Sequence, residues 1–299
     1  MTRRVSLATL SLALIVAACA GSAGSTASAT PTTVASAPPA ASASASADPL
    51  RLVILGDSIA VPEVGCGECI GFDEQYAAHL ETQTARPVDL RNEAVPGDRI
   101  QSLKSLLETN TAVQGEIAKA DIVVVSIGYN NGPPWDPDDP CHVPLVERDA
   151  DLIPAILAMT PDCITETIDM YGGELDAVYG RIEALAAGRP QVRITFGAFD
   201  NIRDNPGGDG TLPLVSPENM QPALELFASI SDQWNAMDCE VATAHGFVCA
   251  DLRHAFNGPD GNGSVGPYTA PDWVHPNEAG QAVMAKLLQR VDVSAVTGR

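Results

Sequence analysis

From residue 50 onward, apolar positions follow two different spacings along the chain. Short apolar runs rich in β-branched residues predict five strands, placed at Leu50–Leu55, Val88–Arg91, Ile122–Ile127, Gln191–Ala198 and Phe247–Leu252. Helical spacing predicts helices at Asp73–Thr84, Asp98–Lys119 with a break near Asn110, Val143–Met159, Ile164–Ala187, Pro222–His245 and Asn277–Val291. Strands that alternate with helices predict a parallel α/β sheet with helices on both faces.

The first residues of the chain have the pattern of an export signal. Arg3 and Arg4 precede an apolar run of 14 residues, Val5–Ala18, which is shorter than the ~20 residues that a membrane-spanning helix needs. The run ends in Val-Ala-Ala-Cys at residues 16–19, which resembles a bacterial lipobox. This resemblance implies cleavage before Cys19 and attachment of lipid to its sulfur. An ordinary signal peptide that contains a cysteine is the alternative.

Residues 20–49 consist almost entirely of Ala, Ser, Thr, Pro and Gly. Such a segment cannot bury a hydrophobic core and is typical of a flexible tether. We therefore predict a signal peptide over 1–19, a disordered tether over 20–49 and one folded domain over 50–299. The expected location is outside the cytoplasm, either on the outer face of the bacterial cell membrane, held by the N-terminal lipid alone, or secreted.

Composition excludes several classes of protein. Hydrophobic residues make up 45% of the 299 residues, which is enough for a sizeable core and excludes wholesale disorder. The formal charge is −21, from 17 Lys and Arg against 38 Asp and Glu. A surface this acidic opposes binding to nucleic-acid phosphates and also disfavours electrostatic attraction of anionic substrates.

The cysteines of the folded domain are even in number. If Cys19 carries lipid, six remain, which in an exported domain predicts disulfides: Cys66, Cys69, Cys141, Cys163, Cys239 and Cys249. Six cysteines allow 15 pairings, and the local choice joins 66 to 69, 141 to 163 and 239 to 249. Zinc is the rival interpretation of the Cys-x-x-Cys spacing, but the chain has no second such pair, and we expect no metal.

Three candidate residues directly follow predicted strands. Ser58 lies in a turn after the first strand, Gly97 follows the second, and Asn130 follows the third. Taken singly, each has an ordinary explanation, because serine caps helices and glycine and asparagine form turns. In parallel sheets, however, ligands bind at the carboxyl ends of the strands, which is where all three residues are expected.

Asp272 and His275 stand three residues apart near the C-terminus, in the sequence Asp-Trp-Val-His-Pro-Asn. This spacing allows the carboxylate to orient the imidazole and to stabilise the imidazolium formed when the ring takes up a proton. An isolated pair of this kind is equally compatible with a surface contact. Together with Ser58, Gly97 and Asn130, it supplies a nucleophile, a base, an orienting acid and N–H donors, which is the set required for acyl transfer.

These separated blocks resemble the SGNH hydrolases of the GDSL esterase/lipase superfamily, and the match spans roughly residues 50–292. The resemblance implies a three-layer α/β/α fold, flavodoxin-like, with a five-stranded parallel sheet of order 2-1-3-4-5. It also implies a Ser58–His275–Asp272 triad, with an oxyanion hole formed by Ser58, Gly97 and Asn130. Ile59 replaces the usual Leu of the first block, and Asn131 replaces the usual Asp of the third. The α/β-hydrolase elbow G-x-S-x-G is the nearest alternative, but Ala60 stands where its second glycine would be.

The resemblance predicts a serine esterase that hydrolyses lipid esters or acetylated carbohydrates through an acyl-enzyme, with no metal or organic cofactor. Alternatives are an acyltransferase acting on cell-envelope glycans and a non-catalytic surface-binding module on the same scaffold. The expected partner is a small ester, lipid or glycan substrate, and the expected state is a monomer. The other histidines are predicted to be structural or surface residues: His79, His142, His245 and His254.

Overall fold

The computed structural model describes residues 48–132, 136, 138–143, 157–201 and 217–297. The predicted signal peptide with Cys19 lies outside these residues, as does nearly all of the predicted tether over 20–49. The predicted helix at Val143–Met159 also falls almost entirely outside them.

Five parallel strands form one sheet, as predicted. They are β1 (Leu50–Gly56), β2 (Val88–Asn92), β3 (Ile122–Ser126), β4 (Val192–Phe196) and β5 (Phe247–Ala250), in the order β2-β1-β3-β4-β5. Strand β3 is buried along its whole length, whereas the edge strands β2 and β5 are partly exposed. This difference follows from the order, because a central strand of a parallel sheet is covered on both faces.

Helices connect the strands and lie on both faces of the sheet. The described helices are α1 (Pro62–Cys66), α2 (Phe72–Thr84), α3 (Ile100–Thr109), α4 (Thr111–Lys119), α5 (Pro161–Ala186), α6 (Pro217–Ala244), α7 (Leu252–Asn257), α8 (Glu278–Leu288) and α9 (Ser294–Thr297), together with a short 3₁₀ turn at Ser58–Ala60. The predicted break near Asn110 is confirmed, because the Asn110 side chain accepts hydrogen bonds from the first N–H groups of α4.

Alternate residues of β1 enter two separate cores. Leu52 and Ile54 pack in a cluster with residues of α2 and α8, while Val53 and Leu55 pack in a second cluster with residues of α3, α4 and α5. Successive side chains of a strand point to opposite faces, so the two clusters lie on opposite sides of the sheet. The result is a single three-layer α/β/α domain, which confirms the predicted fold class.

Several short elements differ from the sequence predictions. The sequence pattern predicted no helix at the Ser58–Ala60 turn, at α1 or at α7. Each spans at most two turns of helix, which is too short for an apolar period to appear. The predicted strand at Phe247–Leu252 ends at Ala250, because Asp251 caps α7 by accepting a hydrogen bond from the N–H of His254.

All six cysteines of the domain form disulfides in the local pairing: Cys66–Cys69, Cys141–Cys163 and Cys239–Cys249. In the part of the chain that the structure describes, no helix is long and apolar enough to cross a membrane. Over the same ranges, no group of His, Cys, Asp or Glu side chains has the arrangement of a metal site.

Candidate active site

Ser58 lies just after the carboxyl end of β1, an interior strand of the sheet. The strand ends at Gly56, and Asp57 begins the 3₁₀ turn by accepting a hydrogen bond on its side chain from the N–H of Ile59. Ser58 is 8% exposed. The turn places the hydroxyl at the carboxyl edge of the sheet, where the sequence predicted it.

Asp272 and His275 lie in a tight turn before helix α8. Trp273 adopts the left-handed conformation, with φ 61°, which costs a non-glycine residue roughly 1–2 kcal/mol. Surrounding hydrogen bonds hold this turn closed: Ala270 donates its N–H to the carbonyl of His275, and the side-chain amide of Asn201 donates to the carbonyl of Trp273. The strained turn brings the Asp272 carboxylate back onto the His275 ring.

A continuous chain of hydrogen bonds joins the three predicted triad residues. Nδ1 of His275 lies 2.6 Å from Oδ2 of Asp272, and Nε2 lies 2.9 Å from Oγ of Ser58. In the neutral ring, Nδ1–H donates to the carboxylate, and Nε2 accepts from the hydroxyl. Partial burial would raise the pKa of Asp272, but hydrogen bonds from the His275 ring and from the N–H groups of His275 and Val274 outweigh it and lower that pKa.

The two predicted oxyanion residues are held beside each other. Gly97 has φ 84°, a left-handed conformation that favours glycine. The Asn130 side chain donates one N–H to the carbonyl of Asp98, 2.8 Å away, and an amide carries a second N–H for a ligand. Within the ranges that the structure describes, the backbone N–H groups of Ser58 and Gly97 have no hydrogen-bond acceptor.

Asn131, which replaces the usual Asp of the third block, links the loop that carries Asn130 to the start of α3. Its side-chain oxygen accepts a hydrogen bond from the N–H of Ile100 at the start of α3, and its amide donates to Gln101. The oxygen caps the helix as a carboxylate would. The loop that carries Asn130 is therefore tied to the helix that follows Gly97, and the substitution retains this tie.

Two contacts of the site were not predicted from the sequence. Asp57 accepts hydrogen bonds from three backbone N–H groups near Ser58. Gly65 in α1 packs against the His275–Pro276 backbone, where a Cβ at position 65 would overlap the carbonyl oxygen of Pro276 and lie 2.8 Å from the Cβ of His275. An acidic residue between an apolar strand and a candidate serine is a sequence signal that could have pointed to Asp57. The close approach at Gly65 depends on tertiary packing.

A second Asp–His pair has the same spacing as the predicted one. Nδ1 of His254 lies 2.7 Å from Oδ2 of Asp251, a pairing that the sequence analysis did not anticipate. This imidazole is half-exposed, and no described serine hydroxyl is bonded to it. Its contacts are those of a helix cap, so of these two described histidines it is His275 that has the surroundings expected of a base for acyl transfer.

His245 lies between two carboxylates, within 2.9 Å of Glu183 and 3.0 Å of Asp176. The hydrogen bond with Glu183 raises the pKa of His245, and the contact with Asp176 adds to this effect. Both partners lie on α5, and His245 directly follows α6. The pair of contacts therefore fastens these two helices together, in agreement with the predicted structural role.

The fold is similar to that of several solved esterases and lipases. A lipase from a goat rumen metagenome matches with a TM-score of 0.56 and 17% identity, over 80% of this chain and 95% of that one. An extracellular lipase from Streptomyces rimosus gives 0.51 and 19%, over 78% and 95%. A variant of an acetyl-xylooligosaccharide esterase from Geobacillus stearothermophilus gives 0.50 and 17%, over 83% and 98%.

The comparison with curated proteins finds no match. The comparison with protein families does: the model of the GDSL-like Lipase/Acylhydrolase family matches residues 54–283. This match begins within β1, ends within α8, and includes every residue of the predicted triad and oxyanion hole. The chain therefore belongs to the GDSL-like lipase/acylhydrolase family and is an ester-hydrolysing enzyme.

Proposed function

We propose that the protein is a serine esterase that cleaves uncharged carboxylic esters through an acyl-enzyme on Ser58. The hydrogen-bond chain from Asp272 through His275 to Ser58 is the observation that carries this proposal. Its two distances lie in the range of direct hydrogen bonds. The order of acid, base and hydroxyl is the one that activates a serine for acyl transfer.

The reaction begins when Nε2 of His275 takes the proton of Ser58 as Oγ attacks the ester carbonyl. Asp272 holds the ring in the tautomer that leaves Nε2 free to accept this proton, and its negative charge stabilises the imidazolium. The imidazolium then protonates the leaving alcohol. Water, activated in the same way by His275, hydrolyses the acyl-enzyme and regenerates Ser58.

The oxyanion formed in both steps is stabilised by three N–H donors: the backbone groups of Ser58 and Gly97 and the side chain of Asn130. Removal of one such donor typically costs ~3 kcal/mol of transition-state stabilisation. The hydrogen bond from Asn130 to Asp98 fixes the orientation of the amide before substrate binds. Donors fixed in advance need no reorganisation during the reaction, which is the main source of their effect.

Lipid esters and acetylated carbohydrates are the two substrate classes proposed for this site. The similar structures include both lipases and an acetyl-xylooligosaccharide esterase, and both substrate classes have uncharged ester groups. A formal charge of −21 opposes the approach of anionic substrates. The predicted lipid anchor at Cys19 would place the domain near both membrane lipids and envelope glycans.

The experiment is hydrolysis of p-nitrophenyl esters of increasing acyl length, from acetate to palmitate, by the wild-type protein and Ser58→Ala. A rate that depends on Ser58 and is highest for acetate or butyrate supports acetylated carbohydrates or other short esters. A maximum at octanoate or longer supports lipids. Because His275 must be neutral to act as a base, the rate should rise with pH through the histidine range.

A sugar acceptor added to the same assay separates hydrolysis from acyl transfer. Faster release of p-nitrophenol with the acceptor than with water alone would indicate the acyltransferase alternative. A rate unchanged in Ser58→Ala, or no hydrolysis at any acyl length by a folded wild-type protein, would contradict the proposed esterase. A flat rate between about pH 5 and pH 8 would contradict the role of His275.

A further inference from the structure

Among the described residues, the Asp57 carboxylate forms no hydrogen bond with His275 or with the Ser58 hydroxyl, yet it is fully buried close to Ser58. Its Oδ1 accepts a hydrogen bond from the N–H of Ile59 at 3.0 Å. Its Oδ2 accepts two more, from the N–H groups of Gly128 and Tyr129, both at 3.1 Å. One carboxylate therefore satisfies three buried backbone donors that come from two separate segments.

The three donors flank the residues of the proposed site. Ile59 directly follows Ser58, and Gly128 and Tyr129 directly precede Asn130. One oxygen of Asp57 thus holds the nucleophile turn, and the other holds the loop that supplies the oxyanion amide. The distance between the attacking oxygen and this amide depends on the carboxylate that joins the two segments.

The dipoles of three backbone N–H groups stabilise the charge of Asp57. Among the residues that the structure describes, no Lys or Arg forms an ion pair with it. Burial raises its pKa to about 6, although the hydrogen bonds from Ile59, Tyr129 and Gly128 and the nearby charge of His275 act in the opposite direction. The carboxyl can therefore change its charge in the pH range where a histidine base becomes active.

We propose that Asp57 is a positioning residue. Its ionised carboxylate is required to hold Ser58 and the Asn130 amide at the correct distance from each other during ester hydrolysis. The inference rests on the proposed function, since it assigns the residue that sets the geometry of that site. The ionised form carries negative charge on both oxygens and so accepts all three N–H groups in strong, charge-assisted hydrogen bonds. Protonation turns one oxygen into a weaker acceptor that also carries an O–H donor, so the hydrogen bonds that join the two segments weaken.

The negative charge has a second consequence for catalysis. His275 is the titratable group of the site that acts on Asp57, and a buried carboxylate lowers the energy of the imidazolium formed there in the transition state. The phenol of Tyr129 also faces Asp57, but burial raises its pKa well above the usual value, so it stays neutral. Among the charged groups near Tyr129, Asp200 raises the pKa of its phenol and Arg253 lowers it.

The test is the pH dependence of kcat/KM for p-nitrophenyl acetate, measured for the wild type, Asp57→Asn and Asp121→Asn. In the wild type, both Asp57 and His275 must lose a proton before the enzyme is active. At pH values below the optimum, log kcat/KM should therefore rise with pH with a slope that approaches about two. Asp57→Asn should reduce the slope to about one. It should also move the remaining rise in kcat/KM to lower pH, because the buried negative charge no longer stabilises the imidazolium. It should also lower kcat by about 10²-fold, with a smaller change in KM, because the reacting groups are misplaced.

Asp121→Asn is the matched control. Asp121 also accepts a backbone hydrogen bond, from the N–H of Arg51 at 3.0 Å, but it directly precedes β3 and so lies at the opposite edge of the sheet. This variant can lose stability, yet it should keep the wild-type slope and activity. A steep acid limb in the wild type and the control, lost only in Asp57→Asn, supports the inference.

A wild-type slope of about one, or an Asp57→Asn enzyme with the activity and pH profile of the wild type, would overturn it. If circular dichroism shows that Asp57→Asn does not fold, Asp57→Glu takes its place. Its longer side chain moves the carboxylate, so kcat should still fall, and a wild-type kcat would overturn the inference. Failure of the proposed function gives a different result, because Ser58→Ala would then hydrolyse the ester as fast as the wild type. In that case the role assigned to Asp57 fails with it.

Discussion

The Oγ of Ser58 lies 2.9 Å from Nε2 of His275, although 217 positions separate the two residues in the sequence. The contact arises because β1 ends at the carboxyl edge of the sheet and the turn before α8 folds over that edge. Gly65 of α1, in the segment that follows Ser58, packs against this turn. The short segment between β1 and α2 therefore supplies the serine and also supports the histidine.

Asp272→Asn should lower kcat by about 10³- to 10⁴-fold while preserving the fold. The amide oxygen can still accept from the backbone N–H groups that Asp272 now binds, but the NH₂ group cannot accept from Nδ1 of His275. The ring is then driven to the tautomer whose Nε2 carries a proton and cannot take one from Ser58. Steady-state kinetics and a thermal melt of the same sample measure both effects. A loss of less than about tenfold would mean that Asp272 does not orient the base.

Asn130→Ala should lower kcat by about 10²- to 10³-fold with little change in KM, because an oxyanion donor acts mainly in the transition state. Asn110→Ala is a suitable control, since Asn110 caps α4 and its loss should cost only about 1 kcal/mol of stability. Kinetics on p-nitrophenyl acetate should separate the two variants. Equal kcat values for both would exclude Asn130 as an oxyanion donor.

Gly65→Ala should reduce activity by about 10- to 100-fold, because the added methyl group would overlap the carbonyl oxygen of Pro276 and push α1 away from His275. Gly115→Ala provides the comparison, since a Cβ at position 115 in α4 has no heavy atom within 4 Å. That variant should gain about 0.5–1 kcal/mol of stability with unchanged kinetics. Activity and urea unfolding would be measured for both. Normal kcat in Gly65→Ala would show that α1 does not support the histidine.

Stability should fall as pH rises, in part because of Asp238. This carboxyl is fully buried against the Tyr179 hydroxyl, and burial raises its pKa from 3.8 to about 7 despite that hydrogen bond. A folded-state pKa above the unfolded value gives stability that is complete below about pH 4 and is lost as pH rises through about 7.

Asp238→Asn cannot ionise, so its free energy of unfolding should fall less than that of the wild type between about pH 5 and pH 8. Part of the decline should persist, since burial raises the pKa of Asp57 as well. Urea unfolding at several pH values measures the difference. Parallel curves for the two proteins would show that Asp238 does not titrate in the folded state.

The sequence predicted the strands and the main residues of the candidate site because these depend on local patterns. The sequence alone predicted β3 from its apolar run. It also predicted the candidate residues that follow β1, β2 and β3. The contacts of Asp57 and the close packing of Gly65 were not, since they join segments far apart in the chain. The left-handed conformation of Trp273 was not predicted either, because surrounding contacts impose it against the preference of a bulky residue.

The role of Ser58 as the nucleophile is tested most directly by covalent labelling. The folded protein would be treated with a fluorophosphonate probe, digested, and analysed by mass spectrometry of its peptides, with Ser58→Ala as the control. Our account predicts a single phosphonylated residue, Ser58, and no label in the variant. A folded wild-type protein that stays unlabelled, or one labelled equally in Ser58→Ala, would contradict it.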